Sequence, residues 1–281
     1  MHTQISTPDS LKLFFASLNM LLLIVIVSSE NFKTRTYFII ANISISSLMS
    51  LVIFLLSGIM TICQSSLDYR LERVLGVLIQ STWFLYLSLS LVLAVDRLLI
   101  FSPINQALNT YIIVFLLILS WLFFALVTVV ESLPGFGLTY ATFLVWQHKK
   151  GSGPLVLFEV ESYVDPCTLI VILAIYLLVV GRLIMIKLSS TGYSVSLKLE
   201  LRILLSAVIS FIYEFFLVTL NFWNPIHFED SKYLYICLNI MWMIDSGIFA
   251  MVTFMVNGSV RKKLREILCG KKHKVMVLYV T

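Results

Sequence analysis

Two carboxylates stand in apolar runs where a carboxylate is costly. Glu214 lies in the segment 200–223, ELRILLSAVISFIYEFFLVTLNFW, and Asp245 in 233–256, YLYICLNIMWMIDSGIFAMVTFMV. On insertion scales an acid at such a place costs about 2.5–3.5 kcal/mol, and more by other estimates. Two acids close together bind a cation or share one proton; the alternative is a pair of neutral, hydrogen-bonded acids that only pack. A third feature is Asp96-Arg97 at the end of the run 74–101. A guanidinium there needs a partner, which Asp96 supplies, or else it snorkels to the interface. Gln80, Trp83, His227, Tyr235, Asn239 and Trp242 fall toward the opposite ends of their runs. Aromatic walls with a few polar groups make a small-molecule pocket. Aromatics at span ends also form interfacial belts, which suits Trp223 and Tyr233, whereas Trp83 and Trp242 lie deeper. The middle of 74–101 reads Val77-Leu78-Ile79-Gln80, without an acid, which disfavours cationic amines as ligands. No HExxH or GxSxG occurs, and the 4 His are isolated, so no enzyme, cofactor or metal site is predicted; His227 alone is a poor metal ligand.

Long apolar helices must position these groups. Hydrophobic residues make up 59% of the 281 and charged residues 12%, against roughly 45–50% and 25% in soluble domains. Mean hydropathy is +0.98. Disorder is excluded, and a soluble globule could not hide this much apolar side chain. Seven runs are long enough to cross hydrocarbon as helices: 11–28, 37–62, 74–101, 109–131, about 166–188, about 200–223 and 233–256. The expected fold is an all-α membrane protein, a seven-helix transmembrane bundle.

The net charge of +5 is distributed along the chain by side. Lys33 and Arg35 follow the first run, Arg182, Lys187, Lys198 and Arg202 flank the connection between the fifth and sixth, and seven basic residues from Arg261 to Lys274 follow the seventh. With seven spans all lie on one side, which the positive-inside rule makes cytoplasmic and which places the N-terminus outside. A nucleic-acid stripe would not divide in this way, so nucleic acid is not an expected partner. The expected division is 1–10 as an external N-terminus, 11–257 as the membrane domain and 258–281 as a cytoplasmic amphipathic helix with a basic tail.

The longest connection, about 132–165, carries apolar-aromatic stretches on either side of Gly151–Gly153, which predicts a β-hairpin there and a folded lid, the alternative being a mobile loop. Proline is scarce, 6 in all, and none is expected well inside a span. Cys63 and Cys167 are expected near the outer face, as free buried thiols or as an unusual disulfide. Cys269 follows the basic segment KKLREIL, a setting for palmitoylation.

The motifs then resemble those of rhodopsin-like G-protein-coupled receptors. AVDRLLIFSP, 94–103, matches the acid–Arg–aromatic triplet and following proline, with Leu98 replacing the aromatic. Asn19, Lys33-Thr34 and the Asn42–Leu48 segment match the register of the first two spans, and Trp121 matches the fourth. Asn257, Val260 and Arg261 match the opening of the short helix after span seven. Departures are clear: Ser47 stands where the family has its buried acid, Phe249–Thr253 replaces Asn-Pro-x-x-Tyr, span six lacks its proline, and Glu72 falls where the family's disulfide cysteine would be. Within the superfamily the chain is similar to the nematode serpentine chemoreceptors, in its short loops, its ELRILL start of span six that includes Glu200, and its W…G…N-x-x-x-R ending.

The resemblance implies a chemosensory receptor in the plasma membrane, in the cilium of a sensory cell, that binds an external small molecule and activates a heterotrimeric G protein. It gives Asp96, Arg97, Glu200, Asn257 and Arg261 to coupling, Asn19, Asn42, Ser47, Glu214 and Asp245 to the polar core with the two acids a turn or two below the pocket, and Gln80, Trp83, His227, Tyr235, Asn239 and Trp242 to the ligand. A transporter or channel is the alternative; it would want internal repeats and broken helices at the midplane.

Overall fold

The computed structural model describes residues 6–65, 67–102, 106–141, 145–148, 152–189, 195–222 and 232–269. Its helices are α1 (Ser6–Val27), α2 (Arg35–Cys63), α3 (Tyr69–Ile100), α4 (Gln106–Glu131), α5 (Ser152–Ser189), α6 (Val195–Phe222), α7 (Lys232–Val256) and the short α8 (Gly258–Leu268). Strands β1 (Leu138–Ala141) and β2 (Val145–His148) lie between α4 and α5. The first seven helices each contain a stretch long and apolar enough to cross a membrane. A helix satisfies its backbone donors and acceptors within itself, so such runs need no partner strand in hydrocarbon.

The helices close into a ring, with α1 against both α2 and α7, and α6 between α5 and α7. Helix α3 runs through the middle and touches α2, α4, α5 and α6. Burial follows from that placement: 61% of the α2 and α3 spans is buried, but only 17% of the α4 span. The outer faces of α4 and α5 present Phe115, Leu122, Leu126 and Leu177, a band that needs lipid rather than water.

Small residues set the closest approaches. Serines 44, 46, 47 and 50 of α2 are buried; Ser46 Oγ donates to the Thr82 carbonyl and Ser50 Oγ to Thr82 Oγ1, both at 3.0 Å, which joins α2 to α3. A Cβ on Gly247 of α7 would stand 2.1 Å from the Phe15 ring, so α1 and α7 meet only because that position is glycine. Asn19 Nδ2 donates to the Ser246 carbonyl at 3.2 Å across the same seam. Trp121 Nε1 donates to Asn42 Oδ1 at 3.0 Å and ties α4 to α2.

The β-hairpin exists, but earlier than the sequence predicts. β1 and β2 pair antiparallel from Leu138 with His148 to Ala141 with Val145, and Gly153 is already helical. Ser152-Gly153-Pro154 opens a helix because proline is tolerated in a first turn, where its missing N–H has no helical acceptor anyway. The apolar stretch that follows the glycines, Leu155 to Phe158, expected as the hairpin's second arm, therefore lies in the first turns of α5, and the fifth helix begins fourteen residues before the expected 166. Pro166, expected at the very start of the fifth span, lies well inside α5. Leu138 and Tyr140 are buried under the hairpin, which is a folded lid and not a free loop.

Three helices hold that lid. Glu72 Oε1 of α3 accepts the Tyr140 amide at 2.9 Å, Trp146 Nε1 donates to Ser57 Oγ of α2 at 3.0 Å, and His148 Nε2 meets Glu161 Oε2 of α5 at 3.1 Å. Gly137 at φ +92° turns the chain from α4 into β1, a conformation that favours glycine.

At the other end of the bundle, Asn257 separates α7 from α8. Its Oδ1 accepts the amides of Ser259 and Val260 at 3.1 and 3.4 Å, and its Nδ2 donates to Tyr37 OH at 3.0 Å. The N-cap thus starts α8 and anchors it to α2 at once. Val260 is fully buried while Arg261 and Lys262 are exposed, as an amphipathic helix at a bundle end requires.

Candidate functional site

Beneath the hairpin lies a cavity of about 470 Å³, within the range of roughly 300–1,000 Å³ usual for small-molecule sites. Helix α3 supplies Gln80, Trp83 and Tyr86, and α7 supplies Asn239, Trp242 and Asp245. The hairpin contributes Trp146, Gln147 and His148 as its roof, and α5 contributes Phe158 and Glu161. Trp83 and Trp242 meet edge to face with centroids 4.6 Å apart. Trp83 Nε1 donates to Asp165 Oδ2 of α5 at 2.8 Å, which fixes the indole.

Of the residues predicted for the ligand, Gln80, Trp83, Asn239 and Trp242 do come together here. His227 and the side chain of Tyr235 lie outside the described residues. Ser47 also lines the cavity. Asp245 corrects an expectation: it borders the cavity itself instead of lying a turn or two below it, since the cavity extends from Gln80 down to Tyr86 along α3. Its Oδ1 is buried without a hydrogen-bond partner.

Sequence reasoning missed Trp146, His148, Glu161 and Asp165. Each was assigned to a connection or its border, and only the hairpin's fold and the early start of α5 bring them over the bundle.

Glu214 occupies a separate place. It lines a small second cavity with Ser90, Tyr176 and Ser210, about 10 Å³ in volume, between α3, α5 and α6. It is buried, and its Oε2 has no hydrogen-bond partner. Tyr86 lies within electrostatic reach of both Glu214 and Asp245, and the two acids are within reach of one another. Tyr86 borders the large cavity. Asp245 thus borders the large cavity and Glu214 the small one, with Tyr86 within reach of both.

At the α8 end, Asp96 and Arg97 are both fully buried. Arg97 Nη2 donates to Asp96 Oδ2 at 2.5 Å, so the snorkelling alternative fails. The start of α2 completes the lock. Thr36 Oγ1 donates to Asp96 Oδ2 at 2.7 Å and also receives Arg97 Nη2. Arg35 Nε donates to Asp96 Oδ1 at 2.7 Å. One carboxylate thus faces two guanidinium groups and a hydroxyl, which offsets its burial. Asn257 caps α8 as described, and Arg261 Nη1 donates to the carbonyls of Phe254 and Met255 at the end of α7. Glu200 is helical in α6, its side chain outside the described residues. Pro103 and the tail beyond 269 also lie outside them.

The cysteines depart from expectation. Cys63, Cys167, Cys237 and Cys269 are free, and all are exposed on the bundle surface, so the first two are neither a disulfide nor buried thiols. Among the described residues, no three His, Cys, Asp or Glu gather as a metal site.

No curated protein matches the chain. Among solved structures, the crystal structure of squid rhodopsin superposes with a TM-score of 0.70 at 13% identity, over 96% of this chain and 87% of that one. At that identity the likeness is one of fold. A family model described as serpentine type 7TM GPCR chemoreceptor Srt matches residues 11–277, and the chain belongs to that receptor family.

Proposed function

We propose that this multi-pass membrane protein binds an external small molecule in the cavity under the hairpin and activates a heterotrimeric G protein at the α8 end. The observation that carries the reading is the placement of both sites on one helix: α3 presents Trp83 and Tyr86 to the cavity and Asp96-Arg97 to the lock. A ligand that binds one arrangement of α3, α6 and α7 better than another shifts the balance between them, by no more than its differential affinity. Release of Arg97 from Asp96 would then expose a cation for the partner's C-terminal helix.

In this reading the N-terminus and hairpin are external and α8 is cytoplasmic, in line with the basic residues near α8 and between α5 and α6. Residues 1–10, 11–257 and 258–281 are the external, membrane and cytoplasmic parts. The exposed Arg261 and Lys262 would meet anionic lipid, Cys269 would be an acylation site beside it, and the plasma membrane of a sensory cell would be the location.

The test expresses the full chain with co-expressed G-protein α subunits and measures nucleotide exchange against a panel of small molecules. Tags at both termini are probed in intact and permeabilised cells. The reading requires an external N-terminal tag and ligand-dependent exchange on at least one α subunit. An internal N-terminus, or no exchange on any subunit with the receptor at the surface, would overturn it.

A further inference from the structure

We propose that the ligand of this receptor carries a positively charged nitrogen, bound by Asp245 of α7 with Glu161 of α5 as the second carboxylate of the same cavity. The inference rests on reading that cavity as the ligand site. Its sequence-based counterpart disfavoured amines because α3 has no acid at mid-span; the fold supplies acids from two other helices instead.

Both carboxylates line the one cavity of about 470 Å³, whereas no Lys or Arg lines it among the described residues. Asp245 is 3% exposed, and its Oδ1 lacks a hydrogen-bond partner. Glu161 is 9% exposed and holds His148, which leaves its other oxygen for a second donor. Asp165 stands behind Trp83, accepts its indole N–H and has its own Oδ1 without a partner, but does not itself line the cavity. An anionic ligand would meet this field with repulsion. A neutral ligand would leave Asp245 either to hold a proton or to stay buried without a counter-charge. A cation removes that cost.

The aromatic lining fits the same chemistry. The one N–H donor of Trp83 is engaged by Asp165, so what this side chain offers a ligand is π surface. Trp242 packs on it edge to face, and Tyr86, Trp146 and Phe158 complete the wall. Cations are attracted to such faces within about 6 Å of the ring centre. Carboxylate and indole lining one cavity suit a single ammonium on an apolar body.

The full chain, purified in lipid nanodiscs without G protein, tests the proposal by ligand-induced thermal stabilisation. The probes are matched pairs: hexylamine and hexanol, phenethylamine and phenethyl alcohol, choline and dimethylbutanol. At least one ammonium should stabilise saturably while its neutral partner does not. Asp245→Asn should weaken that ammonium by roughly tenfold or more, as loss of one partner of a buried charge pair does. Glu161→Gln should weaken it less, and Asp245→Glu should restore part of the binding if the asparagine variant folds poorly. Equal binding of amines and alcohols, no binding by any ammonium, or unchanged affinity in Asp245→Asn would overturn the proposal. G-protein exchange driven only by neutral molecules would overturn it and keep the receptor reading. Ammonium binding with no exchange on any α subunit would do the reverse.

Discussion

Glu72 Oε1 accepts the backbone amide of Tyr140 at 2.9 Å and fastens the hairpin to the start of α3. This is the position at which the resemblance to rhodopsin-like receptors expects a cysteine and a covalent tie between the same two parts. Here one charge-assisted hydrogen bond takes its place, backed by the close contact of Gly76 with the Leu138 carbonyl. Tyr140 OH adds a bond to Thr61 Oγ1 of α2 at 2.8 Å. A noncovalent lid can lift without redox chemistry.

Glu72→Ala should therefore loosen the lid by about 1.5–3 kcal/mol, the usual range for a hydrogen bond to a charged group, and Glu72→Gln should retain most of the tie because its amide oxygen still accepts. Hydrogen exchange at the Tyr140 amide reads this directly. Equal protection in wild type and Glu72→Ala would mean the bond does not hold the hairpin.

Gly76 offers a steric version of the same test. A Cβ there would stand 2.4 Å from the Leu138 carbonyl oxygen, a backbone atom that cannot rotate away, so Gly76→Ala should displace β1 and lower the melting temperature. Gly181 of α5 has nothing within 4 Å of its added Cβ, and Gly181→Ala should be neutral or stabilise by up to about 1 kcal/mol from helix propensity. Identical melting curves for the two variants would contradict the packing described.

The lock at Asp96 and Arg97 makes a directional prediction. Thr36→Val removes the hydroxyl that bonds Asp96 Oδ2 and meets Arg97, and Asp96→Asn removes the charge itself. Both should raise ligand-independent nucleotide exchange, Asp96→Asn more, because Arg35 and Arg97 both lose their counter-ion. Arg97→Ala should abolish exchange at matched surface expression, with Arg35 left to neutralise Asp96. Unaltered basal activity in Thr36→Val and Asp96→Asn would show that the pair does not restrain the resting state.

Glu214 and Asp245 should act as one unit through Tyr86. Glu214→Gln and Asp245→Asn each change the charge that the other senses, so the double variant should deviate from additivity by about 0.5–3 kcal/mol in the resting-to-active balance. Tyr86→Phe should reduce that deviation. Additive effects on basal and driven exchange would make the acids separate packing groups.

The sequence by itself determined the seven apolar helices, the amphipathic helix that Asn257 starts, and the pairing of Asp96 with Arg97. These rest on local chemistry: an apolar run of about twenty residues has few ways to satisfy its backbone in lipid, an asparagine side chain caps the amides that follow it, and an arginine at the end of a span needs a counter-ion, which the neighbouring acid can supply. Only the tertiary structure decided that Thr36 and Arg35 share the lock, since they reach Asp96 across sixty residues of chain. It also decided where the lid lies. The glycines of 151–153 read as a turn, but α5 already begins at Ser152 and takes in Gly153, and the two strands form upstream, where Gly76 leaves room for their backbone. The acids of the cavity show the same limit. Asp245 was visible as a costly charge, but that it faces open space beside Glu161 of another helix depends on how α5 and α7 rotate in the bundle, a relation between distant segments that no local pattern encodes.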